Sequence, residues 1–459
     1  AAKIHDFHFK GETIVSYSDY VLPAKERTSR WSLTMAWWAL FSAMFWLYIA
    51  VASAGVVGVA DTLIGMGLSI VAYGVINAIL SKYAARTGLT VELLSRSLFG
   101  VIGSALAALI LAATAIYYIV FEATMIAVAL QIYFGGEMVW WYLACVLYAL
   151  PLAMGGVRRW LDRLNGYLLP IYFLGLIAAV VMSLVNRGVP AAVDWPAGIE
   201  GGVVPGWLTV FLIYMGVWIM MMYTFDFARF GRKEDRKFHA NVTFGWVFYI
   251  FTFVFNGLVG IFLVVAWGVQ GTETGVVEAV VSSLGLIGVI VVIASQTRIN
   301  SASYYMSSTN LDAVFRRVFR IRLPRWVFVI FTGAVVFVVM LTNVLTWILK
   351  ALAWQGVFVT AWVAIALVYI LWANKRRDLL PEVRGSHLPA LAPGAIIWLA
   401  CSALGIWLTE QTALPLLAQF APVITVVLAA GAYYLALRTS PPRTVKIREA
   451  EEVDVEQLV

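Results

Sequence analysis

The sequence is poor in charged residues. Only 12% of its 459 residues are Asp, Glu, Lys or Arg, whereas a soluble domain contains roughly 25%. A soluble protein of this length could not cover its surface with so few charges, which excludes a cytosolic enzyme, a secreted disulfide scaffold and a disordered chain. The class that remains is a polytopic helical membrane protein, in agreement with a hydrophobic content of 62% and a mean hydropathy of +0.88.

Cysteine is equally scarce, with Cys145 and Cys401 as its two examples. Both lie in apolar runs, where a buried free thiol is the expected state. The sequence has no paired-cysteine metal pattern and no cluster of catalytic groups inside the apolar segments. We therefore expect no metal site, no catalytic residues, no enzyme activity and no cofactor apart from a coupling cation. The first 30 residues are polar and mixed in charge, so we expect no cleavable signal.

Long stretches without Asp, Glu, Lys or Arg mark the membrane spans. Seven of them are about as long as the roughly 20 residues that cross a bilayer: 31–60, 62–81, 138–157, 164–186, 326–349, 351–374 and 411–437. We predict an all-α polytopic membrane protein with about twelve transmembrane helices, near residues 31–58, 62–86, 99–133, 138–156, 164–186, 204–228, 240–268, 277–313, 324–341, 344–373, 389–408 and 412–437.

The positions of Lys and Arg predict the orientation. If both termini are cytoplasmic, 29 of the 32 basic residues lie in cytoplasmic segments and the outer loops keep only Arg187. This asymmetry is typical of a protein that follows the positive-inside rule. It also explains the net charge of +7 without a nucleic-acid partner. We expect a multi-pass protein of the plasma (cytoplasmic) membrane that contacts the lipid bilayer and functions as a monomer.

Two charged residues lie deep inside predicted spans. Glu122 stands in the third span and Arg298 in the eighth, and a charge at such a depth costs roughly 2.5–3.5 kcal/mol on insertion scales. One interpretation is a pair that only holds these two helices together. The other, which we favour, is that one or both residues line the transport path or carry the coupling charge.

Polar and aromatic residues interrupt three of the spans. The run 295–310 (SQTRINSASYYMSSTN) is too hydrophilic to face lipid, so the eighth helix forms a cavity wall. Ser42 in the first span and Gly216 in the sixth fit paired interruptions in two five-helix halves. Tyr118 and Glu122 are four residues apart and share a helix face. An aromatic residue with a carboxylate suits a flat or cationic small molecule.

Two stretches, ARTGLTVELLSRSLFG (85–100) and DFARFGR (226–232), carry a family resemblance. The first looks like the signature of the nucleobase–cation symporter family of purine and cytosine permeases, and the second resembles the segment that follows helix six in that family. The polar run of the eighth span and NKRR (374–377) match two further features of that family. The resemblance covers about residues 30–380.

The resemblance implies a fold of two inverted five-helix repeats with two peripheral helices. We accordingly expect a cytoplasmic arm (1–30), a first repeat (31–186), a second repeat (204–373), peripheral helices (389–437) and a cytoplasmic tail (438–459). It also implies a substrate held between aromatic residues of helices three and six, and a sodium site between helices one and eight. By position, Tyr118 corresponds to the substrate-contacting aromatic residue of helix three. Gly216, Val217 and Trp218 occupy the helix-six contact region, where Trp218 is the expected substitute because Val217 stands in the aromatic position.

Three residues depart from the pattern of that family. Ala115 replaces a polar amide, Glu122 replaces a small residue, and Arg298 falls in the stretch that supplies sodium ligands in related proteins. A guanidinium only donates hydrogen bonds, so it cannot coordinate sodium. Arg298 would fill the place of the cation permanently, and the coupling ion would be a proton rather than sodium, with Glu122 its carrier, or there would be no coupling ion.

We therefore expect a secondary active transporter that imports a small nucleobase-like heterocycle by alternating access. The expected substrate contacts are Phe41, Ser42, Tyr117, Tyr118, Glu122, Gly216, Val217, Trp218, Asn300 and Ser303, and the expected ion-coupling residues are Glu122, Thr297 and Arg298. The main alternative keeps the fold but transports an organic amine or amino acid, whose cationic group would bind Glu122. A channel is disfavoured because it would need polar stripes on several helices, and only the eighth is strongly polar. A membrane-embedded enzyme is disfavoured because it would need clustered catalytic groups, and none is evident.

Overall fold

The computed structural model describes residues 21–22, 27–154, 158–190, 204–321, 323–342, 348–376 and 379–446. Most of the predicted amino-terminal arm, the outer loop after residue 190 and the last part of the predicted tail lie outside these residues. The described chain is almost entirely helical, which confirms the all-α fold class.

Seven helical units make up the first part of the chain. Two of them are bent pairs, α1 and α6, whose halves are labelled a and b. The units are α1a (Arg30–Trp37, continued by a 3-10 turn Trp38–Ser42), α1b (Phe45–Val57), α2 (Val59–Thr87), α3 (Val91–Phe134), α4 (Met138–Met154), α5 (Arg158–Arg187), α6a (Gly206–Met215), α6b (Ile219–Ala228) and α7 (Arg236–Trp267).

Seven further helices and two short strands complete the described chain. The helices are α8 (Glu273–Leu284), α9 (Leu286–Val314), α10 (Arg325–Met340), α11 (Ile348–Ala373), α12 (Pro393–Thr409), α13 (Pro415–Gln419) and α14 (Ala421–Thr439). Strands β1 (Leu379–Pro381) and β2 (Thr444–Lys446) pair antiparallel, with Leu380 opposite Val445.

Many of these helices are long and apolar enough to cross a membrane. Seven qualify within the described residues, and the count is up to nine if each bent pair is one span. Three shorter apolar helices, α4, α10 and α12, come in addition. The chain is thus a multi-pass membrane protein, while the number of twelve spans and the two inverted repeats remain predictions.

The two strongest sequence motifs meet at the start of α3. Gly88 ends α2 in the left-handed conformation (φ 72°), and the hydroxyl of Thr90 accepts a hydrogen bond from the amide of Leu93 at 3.0 Å. The carboxylate of Asp226 accepts from the amide of Val91 at 2.7 Å. These side chains satisfy helix-end amides that have no partner within the helix. The DFARFGR segment thereby fixes the start of α3.

Helix α3 begins earlier than predicted and carries a kink. It starts at Val91 rather than near residue 99, and Gly100 has a positive φ of 80°. The amides of Val101 and Ile102, which the kink releases, donate to carbonyls of Pro389 and Ala390 at 3.1 and 2.9 Å. The kink escapes a hydropathy pattern because it depends on contact with a distant loop.

The predicted eighth helix (277–313) is two helices. Gly285 separates α8 from α9 with φ 60° and ψ −131°, a conformation that residues with a side chain rarely adopt. The run is apolar on both sides of this glycine, so hydropathy alone does not reveal the break. The separation leaves α9 as the helix that carries the polar run.

Candidate functional site

The site begins at the break in α1. The chain leaves the helix in the 3-10 turn Trp38–Ser42 and enters α1b at Phe45, and the two parts are bent by 45°. A break frees backbone carbonyls, and carbonyls at membrane depth need partners from protein or water. The partners of these carbonyls therefore decide what the break can bind.

Each of four successive carbonyls at this break accepts a hydrogen bond from a side chain. Ala39 accepts from Ser42, Leu40 accepts from the indole of Trp46, and Phe41 accepts from the amide of Asn256, each at 2.8 Å. The carbonyl of Ser42 accepts from the hydroxyl of Ser295. The break is therefore satisfied by side chains of α1 itself, α7 and α9.

Gln296 joins the break to helix α3. Its amide nitrogen donates to Glu122, and its amide oxygen accepts from the backbone amide of Met44 at 3.2 Å. Glu122 is fully buried, and its second oxygen has no hydrogen-bond partner among the described residues. One oxygen of the carboxyl group is thus held and the other remains available.

Arg298 is also fully buried and lies against the same break. Its Nη1 donates to the hydroxyl of Ser42 at 3.3 Å, while Nε and Nη2 have no partner among the described residues. In the part of the chain that the structure describes, Arg298 forms no ion pair. The structure therefore brings Arg298 and Glu122 to one region without direct contact between them.

Tyr172 and Asn256 complete the polar centre. The hydroxyl of Tyr172 donates to the side-chain oxygen of Asn256 at 2.9 Å. This hydroxyl is also close enough to both Glu122 and Arg298 for electrostatic interaction with their side chains. The ring of Tyr172 packs edge-on against Phe41, with centroids 5.5 Å apart. We name the set Ser42, Glu122, Asn256, Gln296 and Arg298 the central polar cluster.

Tyr118 lies one helical turn before Glu122. Its ring packs edge-on against Phe45 at 6.0 Å, and the half-buried Tyr117 lies beside it at 5.6 Å. The hydroxyl of Tyr118 and the amide nitrogen of Gln355 in α11 are both buried, and neither has a partner among the described residues. The two groups lie side by side, so a phenol and an amide together form a polar face.

The break in α6 is closely packed. Gly216, Val217 and Trp218 connect halves bent by 48°, and Val217 and Trp218 are buried. A Cβ added at Gly356 of α11 would lie 2.7 Å from the Cα of Gly216. Trp218 makes no ring contact with Tyr118 in the described structure, so the expected aromatic pair around a substrate remains a prediction.

The polar residues of α9 fall on two faces. Asn300 and Ser303 follow Gln296 by four and seven residues, which places all three on one side of the helix. Both polar atoms of the buried Asn300 have no partner among the described residues. Thr297, by contrast, contacts Tyr148 of α4 at 2.5 Å and the carbonyl of Ile293 at 2.5 Å. Thr297 therefore engages α4 rather than the break in α1.

Several residues of the site are missing from the expected set. Asn256 is an amide inside an otherwise apolar run, a signal of the same kind as the one that singled out Glu122. Gln355 is likewise an amide within the apolar α11. Tyr172 carries no such signal, and Ser295 is marked only as the first residue of the polar run, because the importance of both depends on which carbonyl or side chain they contact. Among the described residues, no group of three or more His, Cys, Asp or Glu could hold a metal ion.

The comparisons give similar structures but no similar sequences. No known family matches the sequence, and no curated protein matches it either. Mhp1, a nucleobase-cation-symport-1 family transporter, was solved closed with bromovinylhydantoin bound. It is 17% identical with a TM-score of 0.71, and the match covers 93% of this chain and 96% of that chain. Its inward-facing conformation gives a TM-score of 0.74 at 15% identity, over 94% and 95% of the chains.

Two further transporters share the architecture at lower TM-scores. A Na+-coupled sialic acid symporter in a substrate-bound outward-open state is 12% identical, with a TM-score of 0.64 over 94% of each chain. MhsT in complex with L-phenylalanine is 16% identical, with a TM-score of 0.53 over 88% of this chain and 99% of that chain. The predicted resemblance is confirmed at the level of fold: this chain has the fold of membrane transporters and resembles a nucleobase–cation symporter in structure.

Proposed function

We propose that this protein is a secondary active transporter that imports a small nucleobase-like heterocycle by alternating access, coupled to protons rather than to sodium. The observation that carries the proposal is the central polar cluster. It combines a fully buried carboxyl group with a fully buried guanidinium at a helix break whose carbonyls are occupied. The proposal places both termini in the cytoplasm and assigns no catalytic activity.

The occupied carbonyls argue against sodium at this break. Transporters with broken helices coordinate sodium through unwound backbone carbonyls. Here the carbonyls from Ala39 to Ser42 already accept hydrogen bonds from side chains. Arg298 donates to Ser42 and carries a permanent positive charge at the place where a cation would bind. A sodium ion would have to displace these partners and meet the repulsion of the guanidinium.

Glu122 has the properties of a proton carrier. It is a titratable group out of contact with solvent, and intramembrane carboxyl groups of this kind mark proton relays. Protonation turns its unpartnered oxygen from an acceptor into a donor. Gln296 binds the other carboxyl oxygen of Glu122 and also the backbone amide of Met44. A change of charge on Glu122 therefore acts through Gln296 on the break in α1.

The unpartnered polar groups support a heterocyclic substrate. Both buried polar atoms of Asn300 have no partner among the described residues, and Tyr118 and Gln355 place a phenol and an amide side by side. Buried polar groups are normally hydrogen-bonded, so these groups are suited to a ligand. Amides and a phenol match a flat ring that alternates donors and acceptors, and Gln355 supplies from α11 the amide that Ala115 does not supply from α3.

A second candidate substrate is an organic amine or amino acid. The unpartnered oxygen of Glu122 favours it, because a buried carboxylate can bind an ammonium group directly. One of the structurally similar transporters was solved with L-phenylalanine. In this case Glu122 would be a substrate ligand rather than a proton carrier.

The test is a thermal-stability screen of the purified full-length protein. We expect nucleobases or hydantoins to raise the melting temperature, because a ligand that binds only the folded state stabilises it. Gln355→Leu should lose most of that shift, while Gln411→Leu, at an exposed amide outside the site, should keep it. A shift with amines or amino acids alone would favour the second candidate. No shift with either class would contradict both.

A further inference from the structure

A basic pocket lies at one end of the molecule, away from the central polar cluster. Its volume is about 420 Å³, and it lies between the end of α2, the start of α7 and the end of α11. The lining residues are Ala78, Ile79, Lys82, Tyr83, Arg86, Arg236, Lys237 and Asn374. Four of the eight are cationic and none is acidic, so the pocket has an excess of positive charge.

The cations of this pocket are not neutralised by the protein. Lys82, Arg86, Arg236 and Lys237 form no ion pair with any residue that the structure describes. The nearby Asp235 is already paired with Arg30 at 2.6 Å.

Arg86 is poised within the pocket. Its guanidinium lies over the ring of Tyr83, 5.0 Å from the centroid, which fixes its position by a cation–π contact. Its Nη2 is buried without a hydrogen-bond partner among the described residues. A guanidinium held in this way at the wall of the pocket is suited to a phosphate oxygen.

An exposed apolar stripe of α2 leads to the pocket. Val71 and Val75 are 63% and 58% exposed. They precede Ile79, Lys82 and Arg86 by steps of three or four residues, which place all five on one face of α2. An acyl chain could lie along the valines while its headgroup reaches the cations.

Helix α7 packs beside this stripe. A Cβ added at Gly74 would lie 3.3 Å from the Cβ of Trp246, so the two helices approach closely here. Trp246 itself is 49% exposed, and tryptophan is the residue type that favours contact with lipid near a headgroup. Exposed apolar and aromatic residues of α2 and α7 thus adjoin the basic pocket.

We propose that this pocket binds the phosphate of an anionic phospholipid. Basic pockets between transmembrane helices bind such headgroups, and the apolar stripe of α2 favours a lipid over a soluble phosphate. Because the pocket is shared by α2, α7 and the residue that follows α11, the bound headgroup stabilises the packing of these three helices at this end.

The experiment measures thermal unfolding of the delipidated full-length protein in detergent. It compares phosphatidylglycerol, phosphatidylcholine with the same acyl chains, glycerol phosphate and inorganic phosphate. We expect phosphatidylglycerol to raise the melting temperature in a saturable way, and the other three compounds to have little effect at the same concentration. An equal response to phosphatidylcholine would overturn the proposal, and so would an equal response to either soluble phosphate.

Two matched double variants localise the effect. Arg236→Gln/Lys237→Gln removes two pocket cations, and Arg232→Gln/Lys233→Gln removes two exposed cations of the same loop that lie outside the pocket. We expect the first to weaken the apparent affinity for phosphatidylglycerol about tenfold or more, and the second to leave it within about twofold. Equal losses in the two variants would reduce the interaction to general surface charge and overturn the site.

Discussion

Replacement of Glu122 by Gln tests the proton-carrier role with little structural disturbance. Gln has nearly the same shape, and its side-chain oxygen can still accept the hydrogen bond that Gln296 donates to Glu122. A hydrogen bond to a charged group contributes about 1 kcal/mol more than one to a neutral group. We therefore expect at most a change of that size in the free energy of unfolding, while the variant cannot carry a proton.

The size of the transport effect follows from one titratable group per cycle. A pH difference of one unit is worth about 1.36 kcal/mol per proton. If one proton accompanies each neutral substrate molecule, that energy supports an accumulation of about tenfold. With Glu122→Gln the substrate should reach only equal concentrations on the two sides (about onefold accumulation), because the transport cycle of this variant no longer depends on the pH gradient. Exchange of labelled for unlabelled substrate should persist, since exchange needs no net proton movement.

The assay uses proteoliposomes with equal potassium on both sides and valinomycin, so that the membrane potential is zero. The substrate is the labelled nucleobase or hydantoin that stabilises the protein most. Glu278→Gln is the matched control, because Glu278 is an exposed carboxylate of α8; it should keep the full accumulation. Tenfold accumulation by Glu122→Gln would refute the reasoning. Loss of all exchange would instead indicate that Glu122 binds the substrate directly.

Three further changes test other parts of the structure. Asn256→Leu leaves the buried carbonyl of Phe41 without its donor. It should therefore lower the free energy of unfolding by about 1–3 kcal/mol in a denaturation series. The control Asn241→Leu, at an exposed site, should keep a free energy of unfolding near that of the unmodified protein. Gly356→Ala places a Cβ 2.7 Å from the Cα of Gly216. It should lower the free energy of unfolding by about 1–3 kcal/mol and abolish transport. In the control Gly67→Ala the new Cβ meets nothing within 4 Å, so that change should be neutral or slightly stabilising. Partial burial alone would raise the pKa of Glu382, but hydrogen bonds from Arg384 and His387 hold it at about 2, below its ordinary 4.5. This carboxylate therefore stabilises the fold above about pH 4.5, and the contribution disappears as the pH falls towards 2. The melting-temperature difference between the unmodified protein and Glu382→Gln should be largest near neutrality and shrink below pH 4.5, and a constant difference would contradict the ion-pair account.

The positions of most helices could be predicted because burial in a bilayer leaves a direct mark on composition. The stretch 62–81 has no charged residue, and it lies within the observed α2, Val59–Thr87. The boundaries that were wrong depend on single glycines. Gly100 kinks α3 against a distant loop, and Gly285 divides the predicted eighth helix, yet neither changes the hydropathy of its surroundings.

The site could be predicted only in part, for a similar reason. Glu122 and Arg298 stand out because charge is costly inside a membrane, and the structure places both at the break in α1. Which polar group meets which carbonyl depends on the packing of helices that are far apart in sequence. Gln296 illustrates this limit: it belongs to an evidently polar run, but its link between Glu122 and Met44 is visible only in three dimensions. Thr297, in the same run, turns towards α4 instead.

The most direct test of the central claim is uptake by the unmodified protein under two separate gradients. One set of proteoliposomes has an inward proton gradient without sodium, and the other has an inward sodium gradient at equal pH, with choline as the replacement cation. The account predicts accumulation of the nucleobase or hydantoin under the proton gradient and none above equilibrium under the sodium gradient. Accumulation driven by sodium alone would contradict the role of Arg298 as a fixed replacement for the ion and of Glu122 as the proton carrier.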